Sequence, residues 1–161
     1  MTTRLYTHCI LLGAVVIAAG CGGSSSSPTA PSEPSSFLAG TWTGTVTIER
    51  DGEPTTTGAI TWTFDVMPNT NRQSFSTTIR SQHAFLPVTA RATTTLTPSN
   101  TPPARISTQG DYPSPRGCTG SLLSVGMAEA TRIDADFSGV DCQTLAQSTF
   151  RGRVALTKSG S

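Results

Sequence analysis

The chain predicts an all-β protein: a single antiparallel up-and-down barrel of about eight strands, with a β-sandwich as the alternative. Three observations carry that expectation. Apolar and polar residues alternate with a period of two in successive segments between Thr41 and Thr157, the signature of strands with one buried face. The 15 glycines and 11 prolines punctuate that alternation at turn-like intervals. Threonine and serine are abundant, aromatics make up only 6% of the chain, and no long stretch repeats like an amphipathic helix, a composition that suits strands.

The elements read in order. Thr41 to Arg50 sets Trp42, Gly44, Val46 and Ile48 on one face and Thr43, Thr45, Thr47 and Glu49 on the other. Asp51-Gly52-Glu53-Pro54 is a turn signal. The next strand places Ile60, Trp62, Phe64 and Val66 against Thr61, Thr63 and Asp65, and Pro68 to Asn71 turns the chain. Phe75, Thr77 and Ile79 mark a third strand; Leu86, Val88, Ala90, Ala92 and Leu96 mark a fourth. Pro98 to Pro103 is a loop, Arg105 to Gln109 a short strand, and Pro113 to Gly117 another loop. Gly117 to Met127, Thr131 to Phe137 and Thr149 to Thr157 complete the set. For the last pair the sequence suggests one register. Asp134 opposite Arg153 brings Asp136 opposite Arg151, Phe137 opposite Phe150, Ala135 opposite Gly152 and Ile133 opposite Val154, satisfying charge outside and burial inside.

Closure into a barrel leaves no edge strand exposed, and inward glycines such as Gly44 and Gly152 relieve crowding as strands coil. The opening Gly40-Thr41-Trp42 resembles the Gly-x-Trp of lipocalin-like (calycin) barrels, where it sits at the closed end. That resemblance implies an eight-stranded barrel with an interior able to hold a ligand.

The N-terminus carries a different message. Arg4 precedes an apolar run from Cys9 to Ala19, followed by small residues and Cys21. This is the layout of a secretory signal, too short to span a bilayer as a stable helix. The ending Ile17-Ala18-Ala19-Gly20-Cys21 resembles the bacterial lipoprotein signal, with Ala18 where that family usually has leucine. The resemblance implies cleavage of the Gly20–Cys21 bond and acylation of Cys21, with palmitate-type chains holding the protein on a membrane. The absence of aspartate at Gly22 resembles lipoproteins sorted to the outer membrane, facing the periplasm in a Gram-negative cell. Ordinary secretion would cut the same bond and leave Cys21 a free thiol. Cysteine parity favours lipidation: Cys9 leaves with the leader, Cys118 and Cys142 can pair, and Cys21 is left over.

The expected organisation is therefore a signal peptide over residues 1–20, the lipidated cysteine and a Ser/Pro-rich tether over 21–36, and a β-barrel over 37–158. The tether lacks large apolar residues and as a random coil would reach roughly 20–25 Å.

Charge excludes some functions. The formal net charge is +1, only 13% of residues are charged, and Lys158 is the sole lysine. No basic cluster exists to bind nucleic acid, and no glycine-rich phosphate loop opens a helix. Cys118 and Cys142 fall where adjacent strands of one hairpin meet, and in an oxidising compartment they read as a structural disulfide rather than a redox pair. Asp134, Asp136 and Asp141 match no calcium loop. His83, the only histidine beyond the leader, has Ser76 and Ser81 nearby in sequence but no nucleophile motif around them. It reads as a loop histidine, and neither enzyme chemistry nor a metal or cofactor is expected.

Two binding surfaces stand out instead. Trp62, Phe64, Val88 and Phe150 would line a pocket for a small apolar ligand if the barrel held one. The strand around Leu122 is apolar on both faces, with Leu122 on one and Leu123, Val125 and Met127 on the other. One set must be exposed or covered, which makes the second set a candidate interaction face for an envelope protein, with a loop or the tether folding over it as the alternative. The expected function is non-catalytic binding at the cell envelope: a small apolar ligand in the barrel or, alternatively, a protein partner.

Overall fold

Eight antiparallel strands close on themselves in a computed structural model that describes residues 36–68, 70–98, 100–142 and 148–160. They are β1 (Gly40–Glu49), β2 (Thr56–Val66), β3 (Ser74–Ser81), β4 (Thr89–Thr97), β5 (Ala104–Pro113), β6 (Thr119–Ala128), β7 (Arg132–Asp141) and β8 (Ser148–Lys158). Each strand pairs with its neighbour in sequence, and β1 pairs with β8 to complete the ring. The barrel, not the sandwich, is the fold, and its pairing is complete within Gly40–Lys158. The leader, Cys21 and the tether as far as residue 35 lie outside the described residues.

Alternation makes the core. Trp42, Val46 and Ile48 of β1, Ile60, Trp62 and Phe64 of β2, and Val154 and Leu156 of β8 all point inward and are buried. The aromatics meet edge-on: Trp42 and Phe64 lie 6.4 Å apart between ring centroids, and Phe64 and Phe75 6.2 Å, a geometry that favours ring edges on ring faces. A ladder of hydroxyls crosses the interior, with Thr94 Oγ1 sharing 2.7 Å hydrogen bonds with both Thr77 and Thr108. Pairing these hydroxyls with one another removes most of the cost of burying them.

Both ends are plugged by local chain. At one, Trp42 Nε1–H donates to the Leu38 carbonyl at 2.8 Å, and Lys158 Nζ donates to the Phe37 carbonyl at 2.6 Å while lying over the Trp42 ring. At the other, the β3–β4 loop folds inward, burying His83, Leu86 and Val88. Phe85 of that loop packs on Phe150 and carries the Arg50 guanidinium 3.9 Å above its ring.

The structure corrects the sequence reading in six places. The β7–β8 register is displaced by two residues: Asp136 faces Arg153, Ser138 faces Arg151, and Asp134 faces Ala155. Inner packing explains the choice. Phe137 sits opposite Gly152 and Phe150 opposite Gly139; a side chain at Gly139 would collide with the Phe150 ring, and one at Gly152 with the β1 backbone at Thr47. The expected register would have set the two rings directly opposite. A shift of two preserves every inward and outward assignment, so parity alone could not reveal it.

The other five corrections are shorter. Strand β7 runs to Asp141 rather than ending at Phe137. Leu86 and Val88 are core residues of a loop, not of β4; Pro87 between them has no N–H to donate to a ladder. Strand β5 runs to Pro113, past Gly110, where β4 approaches so closely that a side chain would strike its backbone. Val66, expected inside, ends β2 exposed. Ser36, assigned to the tether, is buried and its hydroxyl bonds the Asn100 side chain and accepts from Leu38 N–H.

Candidate functional site

Strand β6 is apolar on both faces, and the structure sorts the two. Leu122 is buried in the core, together with Ser124 and Ala128. Leu123, Val125 and Met127 stand on the outer wall; Leu123 is 44% and Met127 47% exposed, while Val125 is half-buried between them. Pairing with β5 and β7 fixes their surroundings. Met127 lies between Arg105 and Asp134, Val125 between Ser107 and Asp136, and Leu123 between Gln109 and Ser138.

Charge borders the stripe on the β7–β8 side. Asp134 is held by Arg132, with Nε–Oδ2 at 2.5 Å and Nη2–Oδ1 at 2.9 Å. Arg153 Nε lies 3.2 Å from Asp136, and Arg151 Nε lies 3.3 Å from Glu49 on β1. These pairs are exposed, so each adds little stability; their effect is to make a polar rim. On the β5 side, Arg105 has no ion-pair partner among the described residues. Three shallow grooves follow this wall. One of about 450 Å³ runs from Leu123 and Val125 to Arg151 and Arg153, one of about 570 Å³ runs beside Val125 and Met127, and one of about 510 Å³ joins Leu123 to Val140. Apolar side chains within a polar rim are the anatomy of a protein-binding patch.

The residues proposed to line an internal pocket are core residues. Trp62, Phe64, Val88 and Phe150 are all buried, and Trp62, Phe64 and Val88 line none of these grooves. Trp62 Nε1–H is buried without a hydrogen-bond partner among the described residues.

Cys118 and Cys142 form the disulfide, with Cα atoms 5.2 Å apart. It joins the residue before β6 to the residue after β7. Asp141 is close to both cysteines, but their sulfurs are committed to each other and are not metal ligands. The three aspartates do not converge: Asp134 and Asp136 face outward into ion pairs, whereas Asp141 turns inward and is buried. There it accepts from Tyr112 Oη at 3.3 Å, with Arg116 Nη1 at 3.8 Å. Burial first, and the Asp141 carboxylate second, push the Tyr112 phenol well above its usual value.

His83 is buried with both ring nitrogens engaged. Nδ1 accepts from Phe85 N–H at 3.1 Å, which places the proton on Nε2, 2.9 Å from Thr56 Oγ1. Ser81 Oγ accepts from His83 N–H rather than facing the ring. The histidine pins the inward loop.

Two residues escaped the sequence reading. Tyr112 continues the inward series Ala104, Ile106, Thr108 and Gly110, a period that reaches it once the strand extends past Gln109. Arg105 acquires its place only from the pairing of β5 with β6, which sequence parity does not fix. Comparison with known proteins finds no matching family model, no matching curated protein and no matching solved structure.

Proposed function

We propose that this is a lipid-anchored protein of the cell envelope, built on a lipocalin-like barrel, that works without catalysis by binding a protein partner on the outer wall of β6. The observation that supports it is the exposure of Leu123 and Met127 beside Val125, on a barrel whose inward side chains are packed against one another. Three apolar side chains at consecutive outward positions are not needed to fill the core, and water-exposed apolar surface of this kind favours burial against another molecule. Acylation of Cys21, with residues 22–35 as a tether, would hold that wall near a membrane, facing the periplasm if the cell is Gram-negative.

A capture experiment from envelope extract tests the reading. The chain from Gly22 onward should retain a partner. A Leu123→Ser/Val125→Ser/Met127→Ser variant should lose it while melting at the same temperature. Equal capture by both proteins would overturn the assignment. Mass spectrometry of the mature N-terminus tests the anchor: an acylated Cys21 is expected, and an unmodified one contradicts it.

A second reading, a small apolar ligand inside the barrel, draws on the unpartnered Trp62 Nε1–H. A ligand with an acceptor atom there would satisfy a donor that is costly to leave unpaired, but neighbours such as Phe64, 5.9 Å away between ring centroids, would have to move to admit it. Native mass spectrometry showing co-purified ligand, lost on Trp62→Phe, would support this reading; the bare protein mass would argue against it.

A further inference from the structure

Resting on that reading of the β6 wall, we infer that the occupant is a second copy of this chain, packed face to face about a two-fold axis parallel to β6. The inference comes from the cross-strand rows. Each outward residue of β6 has one neighbour on β5 and another on β7, and the neighbours differ in kind. Met127 has Arg105 on one side and Asp134 on the other. A two-fold axis along the strand sets each β6 residue against itself and lays the β5 side of one copy over the β7 side of the other. Arg105 then meets the partner's Asp134, and Asp134 meets the partner's Arg105. In the next rows, Ser107 meets the partner's Asp136, and Gln109 meets the partner's Ser138. All three rows place a donor against an acceptor.

Arg105 supplies the independent support. It is an exposed guanidinium with no ion pair among the described residues, directly beside the apolar stripe. Asp134 already accepts from Arg132, but a carboxylate has about four acceptor sites and can serve two guanidinium groups. The other two-fold arrangement centred on the stripe, with its axis across the strands at Val125, fails on charge. It would set Asp136 against the partner's Asp136, and like charges directly opposed repel.

Other occupants fit less well. A peptide adding itself as a strand needs a free sheet edge, and this barrel has none. An anionic lipid surface would meet Asp134 and Asp136 beside the stripe. A patch of three apolar residues belongs to the weak, reversible class of interfaces. Chains anchored on one membrane would populate such a dimer, because sharing a surface raises their effective concentration.

Sedimentation velocity on the chain from Gly22 onward tests the inference with two charge reversals, Arg105→Asp and Asp134→Arg. The unaltered chain should show a concentration-dependent dimer. Each reversal alone places like charges together twice and should weaken dimerisation by at least about tenfold. An equimolar mixture of the two variants restores both pairs and should recover the dimer. Near-ultraviolet circular dichroism verifies that each variant keeps the fold. The inference is overturned if the unaltered chain stays monomeric, if either variant dimerises as well as it does, or if the mixture does not recover. If the chain is monomeric throughout and the triple-serine change still abolishes capture of a different protein, the interaction face stands and the second copy falls. If neither effect is seen, both fall.

Discussion

The outer wall of β1 and β2 and the outer wall of β6 belong to the same barrel, and they are made on opposite plans. On β1 the outward positions are Thr41, Thr43, Thr45, Thr47 and Glu49, and β2 answers with Thr57, Ala59, Thr61 and Thr63. The hydroxyls meet across the strands, Thr47 with Thr57 at 3.2 Å and Thr41 with Thr63 at 3.5 Å. On β6 the matching positions are Leu123, Val125 and Met127. Threonine has the β-branched shape that favours a strand while keeping a polar surface. The threonine wall, whose only apolar outward residue across the paired rows is the small Ala59, therefore shows that this barrel does not need large apolar outward residues to form its sheet. Those on β6 have some other cause, and burial against a partner is the one proposed.

Changes on either face of β6 test the comparison most strongly. Leu122→Ala opens a cavity in the core and should cost about 2–4 kcal/mol in urea unfolding. Leu123→Ala, one residue along, should shift stability by less than about 0.5 kcal/mol. Similar costs at the two sites would mean that the outer stripe is part of the fold, and the contrast with the threonine wall would break.

The disulfide comes next. Replacing Cys118 and Cys142 with alanine should remove about 3 kcal/mol, the chain-entropy value for a loop of this length. Native-state hydrogen exchange should speed up more in β6 and β7, which the bridge clamps, than in β1 and β2. Uniform acceleration would contradict that localisation.

A smaller effect concerns Tyr112, inside the β5–β7 side of the barrel. Its folded phenol titrates above the unfolded value of about 10. Below pH 10 both states keep the proton, and the full stability is present. Above it the unfolded chain loses the proton while the fold holds it, so stability falls as pH rises. Alkaline melting curves should show that decline, and Tyr112→Phe should flatten it; an unchanged slope would remove Tyr112 as its source.

The smallest effect belongs to the rim. Arg153→Ala breaks an exposed pair with Asp136 and should cost less than about 0.5 kcal/mol, vanishing at high salt. A larger loss, insensitive to salt, would show that the rim supports the wall.

What could be read from the sequence follows from what alternation encodes. It carries facing, so the inward Trp42, Trp62 and Phe64 and the split of Leu122 from Leu123 were all legible. It does not carry register, because a shift of two residues leaves every face unchanged; the Phe137–Gly152 and Gly139–Phe150 pairing that decides β7 and β8 is a matter of volume. Nor does it mark where a strand gives way to a plug. Leu86 and Val88 keep the period of two, yet Pro87 and the inward loop place them outside any ladder. The stripe was visible as an excess of apolar residues. Its setting between Arg105 and Asp134 was not, since three strands must be paired before those two charges share a row with Met127.

The most direct measurement is cysteine cross-linking of the intact chain in its membrane, comparing the two walls. Single changes Leu123→Cys, Val125→Cys and Met127→Cys, treated with a short bifunctional maleimide, should each yield a covalent homodimer. Thr43→Cys and Thr61→Cys on the threonine wall should yield none. Equal yields on both walls, or no dimer from any β6 position, would contradict the proposal that this chain pairs with itself through β6.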